Sequence, residues 1–208
     1  MPPREARRPL ASRGTSWAKA IAGFLARSAI TPNQISVISI VFAAVGASLL
    51  VAWPTAPGLV LAAACVQLRL ACNLFDGMVA IEGGKQSPTG ALYNELPDRI
   101  ADSLFIVAAG YAIALPWLGW LGALLAALTA YVRATGGALG LAQDFRGPMA
   151  KPQRMAVLTL GCLAGAAEWQ FNGTRHALTV AAIVIAAGSA LTCITRTRAI
   201  AAQLRARS

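Results

Sequence analysis

Glu95, Asp98 and Asp102, with Asp76 before them, lie in stretches of chain that are otherwise apolar, Gly58–Ala80 and Gly90–Leu115. Ionised groups in such surroundings are costly and mark function more often than packing. At about 100° per helical residue, Arg69, Asn73, Asp76 and Ala80 form one stripe. On the next helix Glu95, Asp98 and Asp102 fall within a sector of about 60°, with Asn94 on its edge. Two facing helices would present several oxygen ligands at one depth. Oxygen-only sets suit Mg²⁺, Mn²⁺ or Ca²⁺, and no His/Cys set exists for zinc. A divalent ion held there could neutralise a pyrophosphate and orient it for attack. Gly77, Gly83, Gly84 and Gly90 leave room for a nucleotide or phosphate to approach the backbone. The alternative is that the carboxylates form structural ion pairs with Arg69, Arg99 and Arg133. Four acidic groups and two asparagines at one depth favour the site.

The elements that must position these residues are membrane helices. Of the 208 residues 57% are hydrophobic and 12% charged, about half the charged share of a soluble domain, roughly 25%. That composition excludes a water-soluble enzyme, a disordered chain and a disulfide scaffold, and it points to an all-α integral membrane protein. Six spans are expected, roughly Gln34–Trp53, Gly58–Ala80, Gly90–Leu115, Leu118–Leu141, Met155–Phe171 and Ala177–Ile194. Each is about long enough to cross a hydrocarbon core about 30 Å thick. Residues 1–17 form a basic arm with no signal-peptide core, and residues 18–30 an interfacial amphipathic helix. Residues 31–196 are the six-span domain, opened by Thr31-Pro32-Asn33, and residues 197–208 a basic tail.

The formal charge of +10 sets topology and meets anionic lipid, with no nucleic acid implied. The arm, Lys85, Arg146–Arg154 and the tail fall on one side, which leaves only Arg175 among the basic residues on the other. By the positive-inside rule both termini and the acidic cluster are cytoplasmic, in a cell (inner) membrane. Cys65, Cys72, Cys162 and Cys193 are read as small packing residues, and His176 has no catalytic role.

The run from Asn73-Leu-Phe-Asp76-Gly77-Met-Val-Ala80-Ile81 through Gly90-Ala-Leu-Tyr-Asn94-Glu-Leu-Pro-Asp98 resembles the CDP-alcohol phosphatidyltransferase signature, D-x2-D-G-x2-A-R-x8-G-x3-D-x3-D. Every spacing matches, and Asp76, Gly77, Ala80, Gly90 and Asp98 match in identity. Asn73 and Asn94 stand where Asp is usual, and Ile81 where Arg is usual. The resemblance implies transfer of a phosphatidyl group from CDP-diacylglycerol, or a related CDP-lipid, to an alcohol acceptor such as glycerol 3-phosphate, with release of CMP in phospholipid synthesis. It also implies Mg²⁺ or Mn²⁺ and a homodimer.

Under that resemblance Asp98 is the general base and belongs to the metal set with Asn73, Asp76 and Asn94. Gly77, Ala80 and Gly90 make room for the CDP moiety. Glu95 and Asp102 are candidate further ligands that would restore the charge lost at the two asparagines. Arg69, Arg133, Lys151 and Arg154 are candidate contacts for substrate phosphate. The other classes considered are a small proton- or cation-coupled transporter, which would want acids spread along a path, and a noncatalytic family member.

Overall fold

The computed structural model describes residues 15–207. Among them the elements are helices: α1 (Ser16–Arg27), α2 (Pro32–Ala52), α3 (Ala56–Glu82), α4 (Gly90–Ala112), α5 (Pro116–Ala138), α6 (Lys151–Asn172) and α7 (His176–Arg205). The basic arm lies outside the described residues except for its last three. Four helices, α2, α3, α5 and α7, are long and apolar enough to cross a membrane. The other two expected spans exist as helices of 23 and 22 residues but fall short on apolarity. Helix α4 carries Glu95, Asp98, Arg99 and Asp102, while α6 opens on Lys151 and Arg154 and ends near Glu168. Helix α7 runs on to Arg205, so most of the expected tail is its last two turns.

The residues form two compact units. The first holds the described residues up to Phe42 and Leu68–Ile100; the second holds Ala43–Gln67 and those from Ala101 on. In the first unit α1 has two apolar sides of different character. Ala18 and Ala22 are fully buried against Leu74 and Met78 of α3, and the Trp17 ring meets Phe75 edge-on at 6.1 Å. Ile21 and Phe24 stay exposed, as suits an interfacial helix. The helix stops at Ser28, whose hydroxyl donates to the Leu25 carbonyl at 2.7 Å.

Helix α2 begins where Thr31-Pro32-Asn33 predicts. The Gln34 amide N–H donates to Thr31 Oγ1 at 3.2 Å and the Thr31 N–H donates to Gln34 Oε1 at 2.9 Å. This reciprocal capping box leaves Pro32 at the first helical position, where no N–H is needed.

In the second unit small residues face inward and large ones outward. Helix α5 buries Gly119, Gly122, Ala123, Ala126 and Ala130 while Trp117, Trp120, Leu124 and Tyr131 are exposed. Helix α7 packs against α5 and α6, and Gly161 of α6 sits so close to Ala181 that a Cβ there would collide. Where α4 meets α5, a Cβ on Gly119 would lie 2.7 Å from the Val107 carbonyl oxygen and 3.0 Å from Gly110 Cα. Close packing through small residues with bulky apolar side chains turned outward is the arrangement of helices whose solvent is lipid.

Candidate functional site

The α3 stripe and the first half of α4 come together in the first unit. Arg69 is completely buried. Its Nη2 donates to Asp98 Oδ1 at 3.1 Å and to the Asp98 carbonyl oxygen at 3.3 Å. One turn further along α3, Asn73 Nδ2 donates to the same Asp98 Oδ1 at 2.6 Å. Asp98 is 7% exposed, and Arg99 Nη2 lies 3.7 Å from its other oxygen. Arg99 also reaches Glu95 at 3.9 Å, an exposed contact within one helix turn. Pro97, just before Asp98, cannot donate to the Tyr93 carbonyl, so the α4 ladder is interrupted beside the site.

Asp76 is 6% exposed, and Ser36 Oγ of α2 donates to its Oδ2 at 2.7 Å. Ser36 was missed at the level of sequence. Its signal was a hydroxyl one turn inside an otherwise apolar span, yet such a hydroxyl more often bonds its own helix, and Ser36 also donates to the Pro32 carbonyl at 3.1 Å. Asn94 is exposed on α4, while Gly77 and Ala80 are half-buried on α3. Gly90 opens α4.

Two glycines read as making room for a nucleotide have local reasons instead. A Cβ on Gly83 would lie 2.6 Å from the Val79 carbonyl oxygen and 3.0 Å from Ala26 Cβ of α1, and Gly84 turns the chain at φ +62°. The connection they start is tied down by Lys85, whose ammonium donates to the carbonyls of Ser28 and Ile30, and by Asn33, which donates to Ser87 Oγ and Thr89 Oγ1 at 3.3 and 3.4 Å.

The remaining sequence candidates lie in the second unit. Arg154, expected at substrate phosphate, is 1% exposed. Its Nη2 donates to Asp102 Oδ2 at 3.0 Å, and its Nη1 donates to the Met149 carbonyl at 2.9 Å and to Thr129 Oγ1 at 3.3 Å. Asp102, expected as a supplementary ligand, is 2% exposed and engaged by that guanidinium. Arg196, read from sequence as topological charge, is 3% exposed and donates to the carbonyls of Thr129 and Arg146 at 2.7 and 2.8 Å. Arg133 is half-buried, donates to Gln143 Oε1 at 2.6 Å and stands 5.3 Å over the Phe145 ring. Lys151 begins α6 and is half-buried.

Among the described residues no group of three or more His, Cys, Asp and Glu converges as a metal cage. The first unit offers two buried carboxylates, Asp76 and Asp98, with the amides of Asn73 and Asn94. One or two carboxylates with space for substrate phosphate is how Mg²⁺ and similar hard ions are usually held. The donor set therefore fits a divalent ion that shares its coordination with a phosphate ligand, and it does not fit an ion wholly enclosed by protein.

The family profile for CDP-alcohol phosphatidyltransferase matches residues 29–194. A bifunctional IPC transferase and DIPP synthase from Rubrobacter xylanophilus is 38% identical over 143 residues, which is 66% of this chain and 32% of that protein. The chain thus spans about a third of the length of this curated relative. The fold is similar to that of Mycobacterium tuberculosis phosphatidylinositol phosphate synthase. The crystal structure with CDP-DAG bound gives a TM-score of 0.76 at 23% identity, over 89% of this chain and 94% of the other. The one with manganese and citrate gives 0.73 at 24% identity, over 88% of each.

Proposed function

The chain belongs to the CDP-alcohol phosphatidyltransferase family, and from that premise we propose that it transfers a phosphatidyl group from CDP-diacylglycerol to an alcohol acceptor, with release of CMP. The observation that carries this reading is Asp98. It is a buried carboxylate fixed by Arg69 and Asn73 from the facing stripe of α3, at the motif position where the family places its base.

Asp98 takes the proton of the acceptor hydroxyl as that oxygen bonds to the phosphorus carrying the lipid. The phosphoanhydride bond to CMP breaks in the same displacement, and no covalent enzyme intermediate is needed. An Mg²⁺ or Mn²⁺ held by Asp76, Asp98 and the carbonyl oxygens of Asn73 and Asn94 would supply neutralisation of the pyrophosphate. Gly77, Ala80 and Gly90 keep side chains away from the backbone where the cytidine would lie. Arg69 braces Asp98 and does not reach for substrate. In the second unit Arg154 is buried against Asp102, whereas Arg133 and Lys151 are half-buried.

An open groove of about 560 Å³, walled by Ile30, Val37 and Ile38 with Asn33, Gln34 and Tyr93 at its polar edge, suits the lipid end of the donor. The basic residues support a cytoplasmic active site in a cell membrane, and the family supports a homodimer.

The test is CMP release from CDP-diacylglycerol by purified protein with Mn²⁺ or Mg²⁺, over a panel of free and phosphorylated alcohols. Release that requires one acceptor is expected, with EDTA abolishing it and Asp98→Asn lowering it by about 10²–10⁴-fold. Folded protein that releases no CMP with any acceptor would refute the transferase reading in favour of a noncatalytic member.

A further inference from the structure

Helix α2 carries two buried serines, three residues apart, whose hydroxyls do different things. Ser39 is fully buried and its Oγ donates to the Ser36 carbonyl at 2.6 Å, the ordinary fate of a hydroxyl inside a helix. Ser36 is 4% exposed, and its Oγ reaches across to Asp76 Oδ2 of α3 at 2.7 Å as well as to the Pro32 carbonyl at 3.1 Å. The hydroxyl carries one hydrogen. Of its two acceptors the carboxylate is nearer and charged, so the bond to Asp76 takes the larger share. Asp76 is thereby held at one oxygen by a donor from a helix that lies outside the Asn73–Asp98 motif.

A carboxylate holds a hard ion well when its lone pairs already point at the ion, and outer hydrogen bonds set that direction. We propose that Ser36 is a positioning residue for Asp76. Its hydroxyl sets the plane in which that carboxylate meets the divalent ion, and so governs how tightly the ion is held. The register of Ser36 is itself built into the chain. The capping box of Thr31 and Gln34 fixes the first turn of α2, and Asn33 ties that turn to Ser87 and Thr89 of the connection ahead of α4. The hydroxyl of the next turn therefore arrives at Asp76 in a set position. This role rests on the transferase reading for Asp76 as an ion ligand, and it holds whatever other groups also touch Asp76.

The test is a Mn²⁺ titration of the full chain in nanodiscs with CDP-diacylglycerol present, with free Mn²⁺ read by electron paramagnetic resonance, beside CMP release measured against Mn²⁺ concentration. Ser36→Ala is expected to weaken Mn²⁺ binding about 10–100-fold, the usual scale for losing an outer hydrogen bond to a metal ligand. The Mn²⁺ needed for half-maximal CMP release should rise by the same factor, while kcat at saturating Mn²⁺ and KM for the acceptor stay near wild type. A merely structural loss would lower kcat or the melting point without moving the Mn²⁺ dependence. Ser36→Thr keeps the hydroxyl and should bind Mn²⁺ close to wild type. Ser39→Ala removes a hydroxyl of similar burial that bonds its own helix, and its isotherm should match wild type.

A Ser36→Ala isotherm that superimposes on wild type, a Ser39→Ala protein weakened as much as Ser36→Ala, or a folded Ser36→Thr as weak as Ser36→Ala would each overturn the inference. If Ser36→Thr does not fold, the contrast between the two alanine variants decides alone. Wild type that takes up no Mn²⁺ would overturn the inference together with the metal assignment. Weakened Mn²⁺ binding in Ser36→Ala, with no CMP released by wild type for any acceptor, would uphold the role of Ser36 and overturn the transferase reading alone.

Discussion

Replacing Arg154 with Met separates a structural cation from a substrate contact. The side chain is 1% exposed and its carboxylate partner Asp102 2%, with the charged atoms 3.0 Å apart. At an effective dielectric near 20 that separation is worth about 5 kcal/mol of attraction. Desolvating each ion costs several kcal/mol, so the intact pair contributes little net stability, whereas removing one partner typically costs about 3–5 kcal/mol. Arg154→Met also takes donors from the Met149 carbonyl and Thr129 Oγ1. For a chain of this size about 2–4 °C is lost per kcal/mol, which gives a melting point lower by roughly 6–20 °C.

The assay is thermal unfolding in detergent followed by thiol reactivity of the buried Cys162, with KM for the acceptor measured below the transition. Because a well-packed apolar pair often matches a buried ion pair, Arg154→Met/Asp102→Leu is expected to recover most of the loss. A single mutant with unchanged melting and an acceptor KM raised 10-fold or more would refute the reasoning and return Arg154 to the phosphate-binding set.

Two further expectations concern how the site is held. Lys85→Met removes the ammonium that Ser28 and Ile30 carbonyls accept from, worth about 1.5–3 kcal/mol for a charged donor and less here because the group is partly solvated. Faster trypsin cleavage after Arg27 should follow, with Lys85→Arg closer to wild type, and equal cleavage rates in all three would exclude the latch. Gly119→Ala sets a Cβ against backbone atoms of Val107 and Gly110. It should therefore lower stability by about 1–3 kcal/mol in a thermal melt, and a melting point at or above wild type would contradict the packing of α4 on α5.

Much of this protein was legible in sequence because membrane helices obey local rules. Apolar runs located the six long helices within a few residues at each end, except that α7 runs eleven residues past the expected Ile194 to Arg205. Thr31-Pro32-Asn33 marked the start of α2, and the structure adds Gln34 as the partner that closes a capping box with Thr31. The helical period put Arg69, Asn73 and Asp76 on one stripe, and the motif spacing brought Asp98 to them. Both α4 and α6, expected as spans, fall short of the apolarity of the other four because they carry ionised groups.

Composition, period and spacing along one chain determined the helices and the residues that could do chemistry, and the resemblance of Asn73–Asp98 to a known signature implied the family that the family profile shows. The tertiary structure alone decided which of those residues meet. It assigned Arg69 and Asn73 to Asp98, Ser36 to Asp76, and Arg154 to Asp102. The physical reason is that a buried charge is stabilised by whichever donor packing brings within about 3 Å, and no pattern within a single helix records the partner on another.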